Sequence, residues 1–238
     1  MKIGTHDIGY GKPTFVIAEA CSNITRYLDD LKIFIETVAK TGADGLKCQL
    51  YLPEHFPEAE RSSKYQTMFP RPLFKDYVTI SHEHGLLCGA SVFDYEAIDL
   101  CVDCGADYLK LATREEKDTE LFEVCVYTGL PIIRSYDWSS GVFQASDSVL
   151  MMACIPQYPA INPSIPSEMQ ITDAISSLWG WSSHSIDCLD CLLAVSRGAC
   201  VIEKHFKMSN VDYESGWSLD PIQFAQMIGD IRRVEVMR

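Results

Sequence analysis

Several short apolar runs of this 238-residue chain end in side chains that can do acid–base, metal or anion chemistry. The runs close with Glu19, Lys47, Lys110 and the triplet Glu203-Lys204-His205. Apolar runs of this length, separated by helical stretches, are typical of buried parallel strands. Because charged groups are costly to bury singly, we expect these side chains to meet at one site. In a barrel of parallel strands, that site is the mouth formed by the carboxyl ends of the strands.

His184 and His205 follow neighbouring predicted strands, so a closed barrel would place them side by side at its mouth. Two imidazoles with carboxylate or water ligands suit Mn, Fe, Co or Zn better than Ca or Mg. A single histidine at a strand end is more often a hydrogen-bonded core residue, but two of them beside Glu203 favour a metal. The sequence therefore predicts a divalent metal bound by His184 and His205.

Lys47 and Lys110 end two predicted strands, and hydroxyl groups end or follow several others. The hydroxyl side chains are Ser91, Thr113, Ser135 and Ser182. Two ammonium groups among hydroxyls are typical of a cradle for phosphate or carboxylate. Two alternatives stay open, namely an aldolase-type Schiff-base lysine and lysines that lie at the surface beyond their strands. Glu19 and Glu115 would orient a sugar hydroxyl or act as acid or base.

The composition indicates one acidic globular domain. The length is that of a single α/β barrel, and we expect one domain over residues 1–238. A net charge of −13 disfavours a general nucleic-acid or anionic-membrane partner. The sequence shows neither a membrane-length apolar run nor the apolar core of a signal peptide, so we expect a cytoplasmic protein. We predict that the pairs Cys101/Cys104 and Cys188/Cys191 are helix core residues rather than a zinc or redox motif.

Eight strands alternate with helical stretches, which indicates a TIM (β/α)8 barrel. The predicted strands cover residues 14–19, 45–49, 86–91, 108–111, 131–135, 149–154, 180–183 and 200–204. The predicted helices cover residues 27–40, 72–84, 95–104, 117–128, 166–178, 187–197 and 221–234. Thr25 would cap the first helix and Gly42 would end it, while residues 51–70 would form a long loop.

The fifth crossover is predicted to lack a full helix. Only residues 136–148 separate the fifth and sixth strands, which is too short for a helix with its loops, so helix 5 would be missing or shortened. Alternation along the fifth strand points Ser135 inward and Arg134 outward. Without a covering helix, Arg134 would face water or a partner chain, and the flank around Arg134 and Phe143 is our candidate contact surface.

Several motifs follow one another in a fixed order along nearly the whole chain. The first motif is Val16-Ile-Ala-Glu19-Ala-Cys-Ser-Asn23, which is similar to V-I-A-E-A-G-S-N. The second is Gly42-Ala-Asp-Gly-Leu-Lys47-Cys-Gln49, which is similar to G-A-D-x-x-K-F-Q. The third is Tyr108-Leu-Lys110-Leu-Ala-Thr113-Arg-Glu115, which is similar to Y-x-K-I-A-S-G-E. The others are Tyr158-Pro159, Trp181-Ser-Ser-His184 in place of Y-S-D-H, Glu203-Lys-His205-Phe, and Ser218-Leu-Asp-Pro221. Together they resemble the sialic acid synthase family, which makes N-acetylneuraminate and related nonulosonates from phosphoenolpyruvate.

The resemblance implies a TIM barrel and a role for each matching position. His184 and His205 would bind a divalent metal, usually Mn or Mg. Phosphoenolpyruvate would be held by its phosphate and carboxylate through Lys47, Lys110, Ser91, Thr113, Ser135 and Ser182. The sugar end or the metal-bound water would be surrounded by Glu19, Gln49, Glu115, Tyr158 and Glu203. Glu214 lies at the position of a family acidic residue near the sugar. No Schiff base is needed in such a mechanism, which demotes the aldolase alternative.

Departures from the family pattern leave alternatives open. Cys21 replaces a glycine, Ser183 replaces an aspartate, and the motifs after the fifth strand and before Tyr158 differ. The sequence ends at Arg238, whereas typical family members continue into an antifreeze-like lid, so we expect a different acceptor or a lid from a separate chain. The leading hypothesis is a phosphoenolpyruvate-dependent and metal-dependent synthase that acts on an aldose, an amino sugar or its phosphate. We expect it to be a homodimer. A catalytically silent binding or assembly subunit, or a related enzyme with another aldehyde acceptor, is the alternative.

Overall fold

Eight parallel strands close into a barrel in the computed structural model, which describes residues 1–24, 26–140, 149–167 and 178–237. A short antiparallel pair precedes the barrel, formed by β1 (Lys2–Ile3) and β2 (His6–Asp7). The barrel strands are β3 (Phe15–Glu19), β4 (Gly45–Gln49), β5 (Leu87–Ser91), β6 (Tyr108–Leu111), β7 (Ile132–Asp137), β8 (Val149–Cys154), β9 (Trp179–Ser183) and β10 (Val201–His205). They pair in chain order, and β10 closes the barrel against β3.

Helices follow most strands on the outside of the barrel. The described helices are α1 (Leu28–Lys40), α2 (Glu58–Thr67), α3 (Phe74–Glu83), α4 (Tyr95–Cys104), α5 (Thr119–Tyr127), α6 (Leu189–Ser196) and α7 (Pro221–Met237). Apolar side chains fill two regions, one between strands and helices and a smaller one inside the barrel. Phe15, Ile17, Tyr108 and Leu150 belong to the inner region, which forms a floor beneath the mouth. Within the described residues, no helix has the length and apolar character needed to cross a membrane.

Two turns with the sequence Gly-Ala-Asp set the positions of the mouth lysines. Gly42 and Gly105 have φ values of 84° and 80°, in the left-handed region that favours glycine after a helix. The following Asp44 accepts a hydrogen bond from the backbone N–H of the neighbouring strand β3, at 2.8 Å from Val16. Asp107 does the same at 2.8 Å from Cys88 in β5. In each case the lysine stands three residues after the anchored aspartate.

The predicted barrel is confirmed, and the predicted strands agree with the observed ones to within one or two residues at each end. The prediction of a long loop over residues 51–70 was wrong, because α2 and a 3₁₀ turn at Pro53–His55 lie there. The sequence hides α2 because it has no apolar stripe, and Thr67 is its only buried residue. The predicted cap Thr25 and most of the helix predicted at 166–178 lie outside the described residues.

The predicted exposure of Arg134 was wrong. Its side chain does point away from the barrel interior, but the residue is only 8% exposed. The guanidinium lies 4.6 Å from the ring centroid of Phe122 in α5 and donates a hydrogen bond to the carbonyl of Glu116. The neighbouring helix α5 therefore covers this face, and Arg134 does not offer a partner surface. In the described part of the crossover there is a 3₁₀ turn at Trp138–Ser140, while residues 141–148, with Phe143, lie outside the described residues.

All ten cysteines are free thiols, as expected for core residues. Cys101 and Cys191 are buried in α4 and α6, Cys104 is half-buried in α4, and Cys188 is the half-buried N-cap residue of α6. Burial raises the pKa of the Cys104 and Cys188 thiols. The prediction of helix residues packed on the core is confirmed for Cys101, Cys104 and Cys191, while Cys188 packs on the core from the position just before its helix.

Candidate active site

The carboxyl ends of the strands enclose a narrow inner cavity of about 50 Å³. Inward-facing side chains of all eight barrel strands and the loops after them line it. They are Glu19, Lys47, Gln49, Ser91, Lys110, Ala112, Thr113, Ser135, Cys154, Tyr158, Ser182, His184, Glu203 and His205. The period of two along a strand brings these alternate residues to one place, while Cys48 and Lys204 face the helices. The structure thus gathers nearly all of the sequence-predicted site residues.

Lys47 lies between two carboxylates at the bottom of this cavity. Its ammonium group contacts Glu19 directly, lies 3.8 Å from Glu203 and donates a 2.8 Å hydrogen bond to Ser91. Burial lowers the pKa of Lys47 to about 8, although the charge of Glu203 acts in the opposite direction. The lysine is therefore a cation that loses its proton more readily than an exposed lysine.

Lys110 and Glu203 form a second buried ion pair across the barrel. The Lys110 ammonium group lies 2.8 Å from Glu203 Oε2, and Ser182 donates a 3.0 Å hydrogen bond to the other oxygen of Glu203. Burial alone would raise the pKa of Glu203, but Lys110 and Lys47 outweigh it and hold the pKa well below its usual range. The carboxylate is therefore ionised and bridges both lysines, so the inner cavity is electrically balanced.

His184 and His205 lie next to each other, with ring centroids 5.4 Å apart. The Nδ1 atom of His184 lies 2.8 Å from the carbonyl oxygen of Ile155, which can only accept a hydrogen bond. The Nδ1 atom of His205 lies 2.8 Å from Glu214 Oε2. Burial, and then the neighbouring His205, lowers the pKa of His184 to about 3, so this imidazole is neutral at physiological pH.

These two imidazoles fit a divalent metal. With Nδ1 of each ring directed at an oxygen acceptor, the Nε2 atom of each keeps its lone pair for a cation. His205 Nδ1 also faces a carboxylate, which is the usual partner of a metal-bound imidazole. Cys21 Sγ and Glu214 lie on the Nδ1 side of His205, where the thiol donates to the carboxylate and the carboxylate faces the ring. Two imidazole Nε2 atoms as donors favour a transition metal over Ca²⁺.

Glu214 is held in place by two residues from the loop after β3. Cys21 donates a hydrogen bond from Sγ to Glu214 Oε1 at 2.9 Å, and Asn23 Oδ1 accepts one from the Glu214 backbone at 2.9 Å. Burial would raise the pKa of Glu214, yet His205 and the hydrogen bond from Cys21 lower it. Cys21 adopts a φ of 39°, where L-residues are uncommon, at the position where the resembled family has glycine. Sequence reasoning missed the part that Cys21 and Asn23 play, and the glycine replacement was the available signal.

A wider outer cavity of about 620 Å³ opens above the inner one. Gln49, Thr113, Tyr158 and His205 line both cavities, so the two are continuous. The outer walls add side chains that sequence reasoning missed, namely Phe56, Lys64, Phe93, Arg114, Tyr213 and Trp217. This volume lies in the ordinary range for a small-molecule site. Several of these residues come from the segment predicted as a loop, so no strand pattern could have pointed to them.

Glu115 is the predicted site residue that lines neither cavity. It belongs to a 3₁₀ turn after β6, and its carboxylate lies 2.7 Å from Arg114 Nε. Arg114 also donates a hydrogen bond to the carbonyl of His55 and lies 4.5 Å from the Phe56 ring centroid. Glu115 therefore helps to orient Arg114 at the rim in this structure.

Fold and mouth together define a TIM barrel whose mouth gathers buried lysines, carboxylates and two adjacent imidazoles. The NeuB family profile matches residues 34–238, and the chain belongs to that family.

Several relatives are named as synthases of nonulosonic acids. The chain is 25% identical to an N,N'-diacetyllegionaminic acid synthase of Legionella pneumophila, an alignment that covers 96% of this chain and 74% of the relative. It is 28% identical to an uncharacterized Methanocaldococcus jannaschii protein, covering 100% of this chain and 75% of the relative. The structure of an N-acetylneuraminic acid synthetase from Leptospira borgpetersenii, in complex with citrate, superposes with a TM-score of 0.88 at 24% identity, covering 100% and 89% of the two chains. That structural likeness establishes the shared fold.

Proposed function

We propose that this protein condenses phosphoenolpyruvate with an aldose, an N-acetylmannosamine-like amino sugar or its phosphate, to give a nonulosonic acid and phosphate. The carrying observation is the pair of buried lysines, Lys47 and Lys110, in the wall of a cavity that also presents two imidazoles. Two cations and two carboxylates balance one another there. A phosphorylated carboxylate substrate would add several negative charges, which explains why a divalent cation is part of the proposal.

The lysines and hydroxyls would hold phosphoenolpyruvate. Lys47 donates to Ser91, and Ser182 donates to Glu203, so each hydroxyl already lies within hydrogen-bond reach of a charged group. The phosphate and carboxylate of the substrate would take over the contacts that Glu19 and Glu203 now make with the lysines. Fixed cations of this kind stabilise negative charge that develops as phosphate leaves, and they cost little reorganisation.

His184 and His205 would hold a divalent metal, Mn or Mg in the proposal, whose chemistry is that of a Lewis acid for the open-chain aldehyde. Ile155 and Glu214 would keep the two rings in the tautomer that leaves Nε2 unprotonated. In the reaction the methylene carbon of phosphoenolpyruvate bonds to the aldehyde carbon, water adds to C2, and the C2–O bond to phosphate breaks. Gln49, Tyr158 and the outer cavity would orient the sugar.

The proposal is tested by phosphate release from phosphoenolpyruvate with Mn²⁺ across a panel of aldoses, including N-acetylmannosamine and its 6-phosphate. Release that depends on one sugar supports a synthase and identifies its acceptor class. Release without any sugar would indicate a phosphatase-like side reaction and would contradict the proposal. No release from a protein that binds Mn²⁺ would favour the silent binding subunit, or a lid supplied by another chain.

His184→Ala is the matched variant for this assay. It removes one of the two imidazoles without touching the lysine pairs, so we expect loss of Mn²⁺ binding together with loss of turnover. Binding is followed by the electron paramagnetic resonance signal of free Mn²⁺, which is independent of turnover. Unchanged turnover in His184→Ala would refute the metal-centre assignment.

The same proposal includes a cytoplasmic homodimer. The family resemblance supports the homodimer. The Arg134 flank no longer supports it, because α5 of the same chain covers that surface. Light scattering of the purified protein tests the dimer directly.

A further inference from the structure

A second cluster of metal-ligating side chains lies at the amino ends of β5 and β6, opposite the mouth. Cys88 is the second residue of β5, Asp107 directly precedes β6, and His82 is near the end of α3. One nitrogen, one sulfur and one carboxylate oxygen of these residues all lie within 4.8 Å of one another. The proposed synthase chemistry uses none of the three.

The distances suit a small divalent cation. His82 Nε2 lies 3.7 Å from Cys88 Sγ and 2.8 Å from Asp107 Oδ2. Zinc bonds of about 2.0–2.3 Å in tetrahedral geometry place neighbouring donor atoms roughly 3.3–3.7 Å apart. The sulfur–nitrogen distance already meets this requirement, and the imidazole needs to move away from Asp107 by less than about 1 Å. His82 lies at the end of α3 with a side chain 41% exposed, so its rotation is open and the cation has an entry path.

The equivalent position in the other Gly-Ala-Asp turn provides an internal comparison. Asp44 also accepts a hydrogen bond from its neighbouring strand, but the donor there is Val16, which has no ligand atom. Asp44 is ion-paired with Arg232 at 3.0 Å, and its histidine neighbour His6 lies 3.8 Å away. The same backbone arrangement therefore carries an arginine-neutralised carboxylate at one turn, and a carboxylate with a thiol and an imidazole at the other.

We propose that His82, Cys88 and Asp107 form a second metal site that binds Zn²⁺ or a similar divalent cation, with solvent completing the coordination. The set of one thiolate, one imidazole and one carboxylate is a zinc-type donor set. In the metal-free protein, burial and the Asp107 carboxylate raise the pKa of the Cys88 thiol, so binding exchanges the thiol proton, released to solvent, for the cation. The bound ion would tie α3 to the amino ends of β5 and β6.

Cobalt substitution tests the site, because a thiolate ligand gives Co²⁺ a sulfur-to-metal charge-transfer absorption that nitrogen and oxygen ligands do not give. We expect this band in the wild-type protein and its loss in Cys88→Ser and in His82→Ala. His84→Ala is the matched control, since His84 is an exposed histidine two residues away whose Nδ1 lies against the Ile80 carbonyl. Cys21→Ser is the second control, and the band should survive in both.

The outcomes separate this site from the mouth. A band that is absent in the wild type, that persists in Cys88→Ser, or that disappears in Cys21→Ser would overturn the proposal. His82→Ala changes an exposed side chain, so it keeps the test decisive if Cys88→Ser fails to fold. As a second readout, Zn²⁺ should raise the melting temperature of chelator-treated His184→Ala protein, and His82→Ala should abolish that rise in the same background. Neither readout depends on turnover, so failure here leaves the proposed synthase reaction untouched.

Discussion

The inner and outer faces of β9 and β10 carry the same kinds of residues, but these residues have different roles on the two faces. On the inner face Ser182 pairs with Glu203, and on the outer face Ser183 pairs with Lys204, in adjacent positions of one register. Ser182 donates to Glu203, which reaches Lys110 across the cavity. Lys204 donates 3.1 Å to Ser183 Oγ and also to the carbonyl of Ser185. All of these polar side chains are buried, so burial does not distinguish the two faces.

What differs is the kind of partner and the space beside it. The Lys204 ammonium group is held by neutral oxygens between strand and helix, and within the described chain it forms no ion pair with a carboxylate. Burial lowers its pKa, as it does for Lys47. The inner lysines instead share carboxylates along the wall of a cavity, where an incoming anion can replace those carboxylates. A buried charged side chain that can exchange its partner for a ligand indicates a binding site. A buried charged side chain held by fixed neutral partners indicates a structural role.

Removing an inner lysine should have the largest effect. Lys110→Met leaves Glu203 without its 2.8 Å partner and deprives the substrate of a cation. We expect phosphate release to fall by about 10²–10³-fold, the usual cost of losing one fixed group that stabilises developing negative charge. The assay compares kcat of the variant and the wild type under saturating Mn²⁺ and sugar. A fall smaller than that of Lys204→Met would show that burial, and not the inner face, determines the effect.

The sequence was sufficient for the barrel and for most of its mouth, because both depend on local periodicity. Strand ends such as Lys47 and Glu203 meet as soon as the strands are parallel and closed, whichever loops join them. The outer cavity was not predictable in this way. Lys64 and Phe56 reach it through a polar helix without an apolar stripe, and the position of that helix depends on tertiary contacts. Likewise, the preceding helix α5 buries Arg134, and the alternation of residues along β7 alone could not predict this burial.

The titration of Lys47 gives the next largest effect. Because the pKa of Lys47 is about 8 in the folded protein, the cation is lost above that pH, and kcat/KM should fall about tenfold per pH unit there. Stability should change in the opposite direction. Between pH 8 and about 10.4 the unfolded chain keeps a proton that the folded chain has released, so the unfolding free energy should rise with pH.

Lys47→Arg is the variant that isolates this titration. Arginine stays charged throughout the range, so the alkaline fall in kcat/KM should move beyond pH 10 even if the absolute rate is lower. Rates are measured with a fixed sugar and subsaturating phosphoenolpyruvate, and unfolding by urea at the same pH values. An alkaline limb that is identical in Lys47→Arg would assign the titration to another group.

Ser182→Ala and Ser183→Ala compare the two faces with the same chemical change. Ser182→Ala removes a hydrogen bond to the Glu203 carboxylate, and bonds to charged groups contribute about 1.5–3 kcal/mol. We expect kcat/KM to fall by about four- to twelvefold, if roughly half of that energy is expressed in catalysis. Ser183→Ala should leave kcat/KM within about threefold, and should lower the unfolding free energy by about 1.5–3 kcal/mol through the lost Lys204 contact. Equal losses of activity in the two variants would contradict the distinction between the faces.

Lys204→Met should have the smallest effect on activity, although it removes a charge from the most deeply buried lysine. Methionine fills a similar volume and removes the desolvation cost of a buried ammonium group. It also leaves the Ser185 carbonyl without its hydrogen-bond donor. The two contributions oppose each other, so we expect the unfolding free energy to change by no more than about 1–3 kcal/mol and kcat to stay within about threefold. Urea unfolding and the phosphate assay on the same preparation measure both quantities. A loss of turnover as large as that of Lys110→Met, without a loss of stability, would mean that the outer lysine acts on the reaction through β10, because Lys204 does not line the inner cavity.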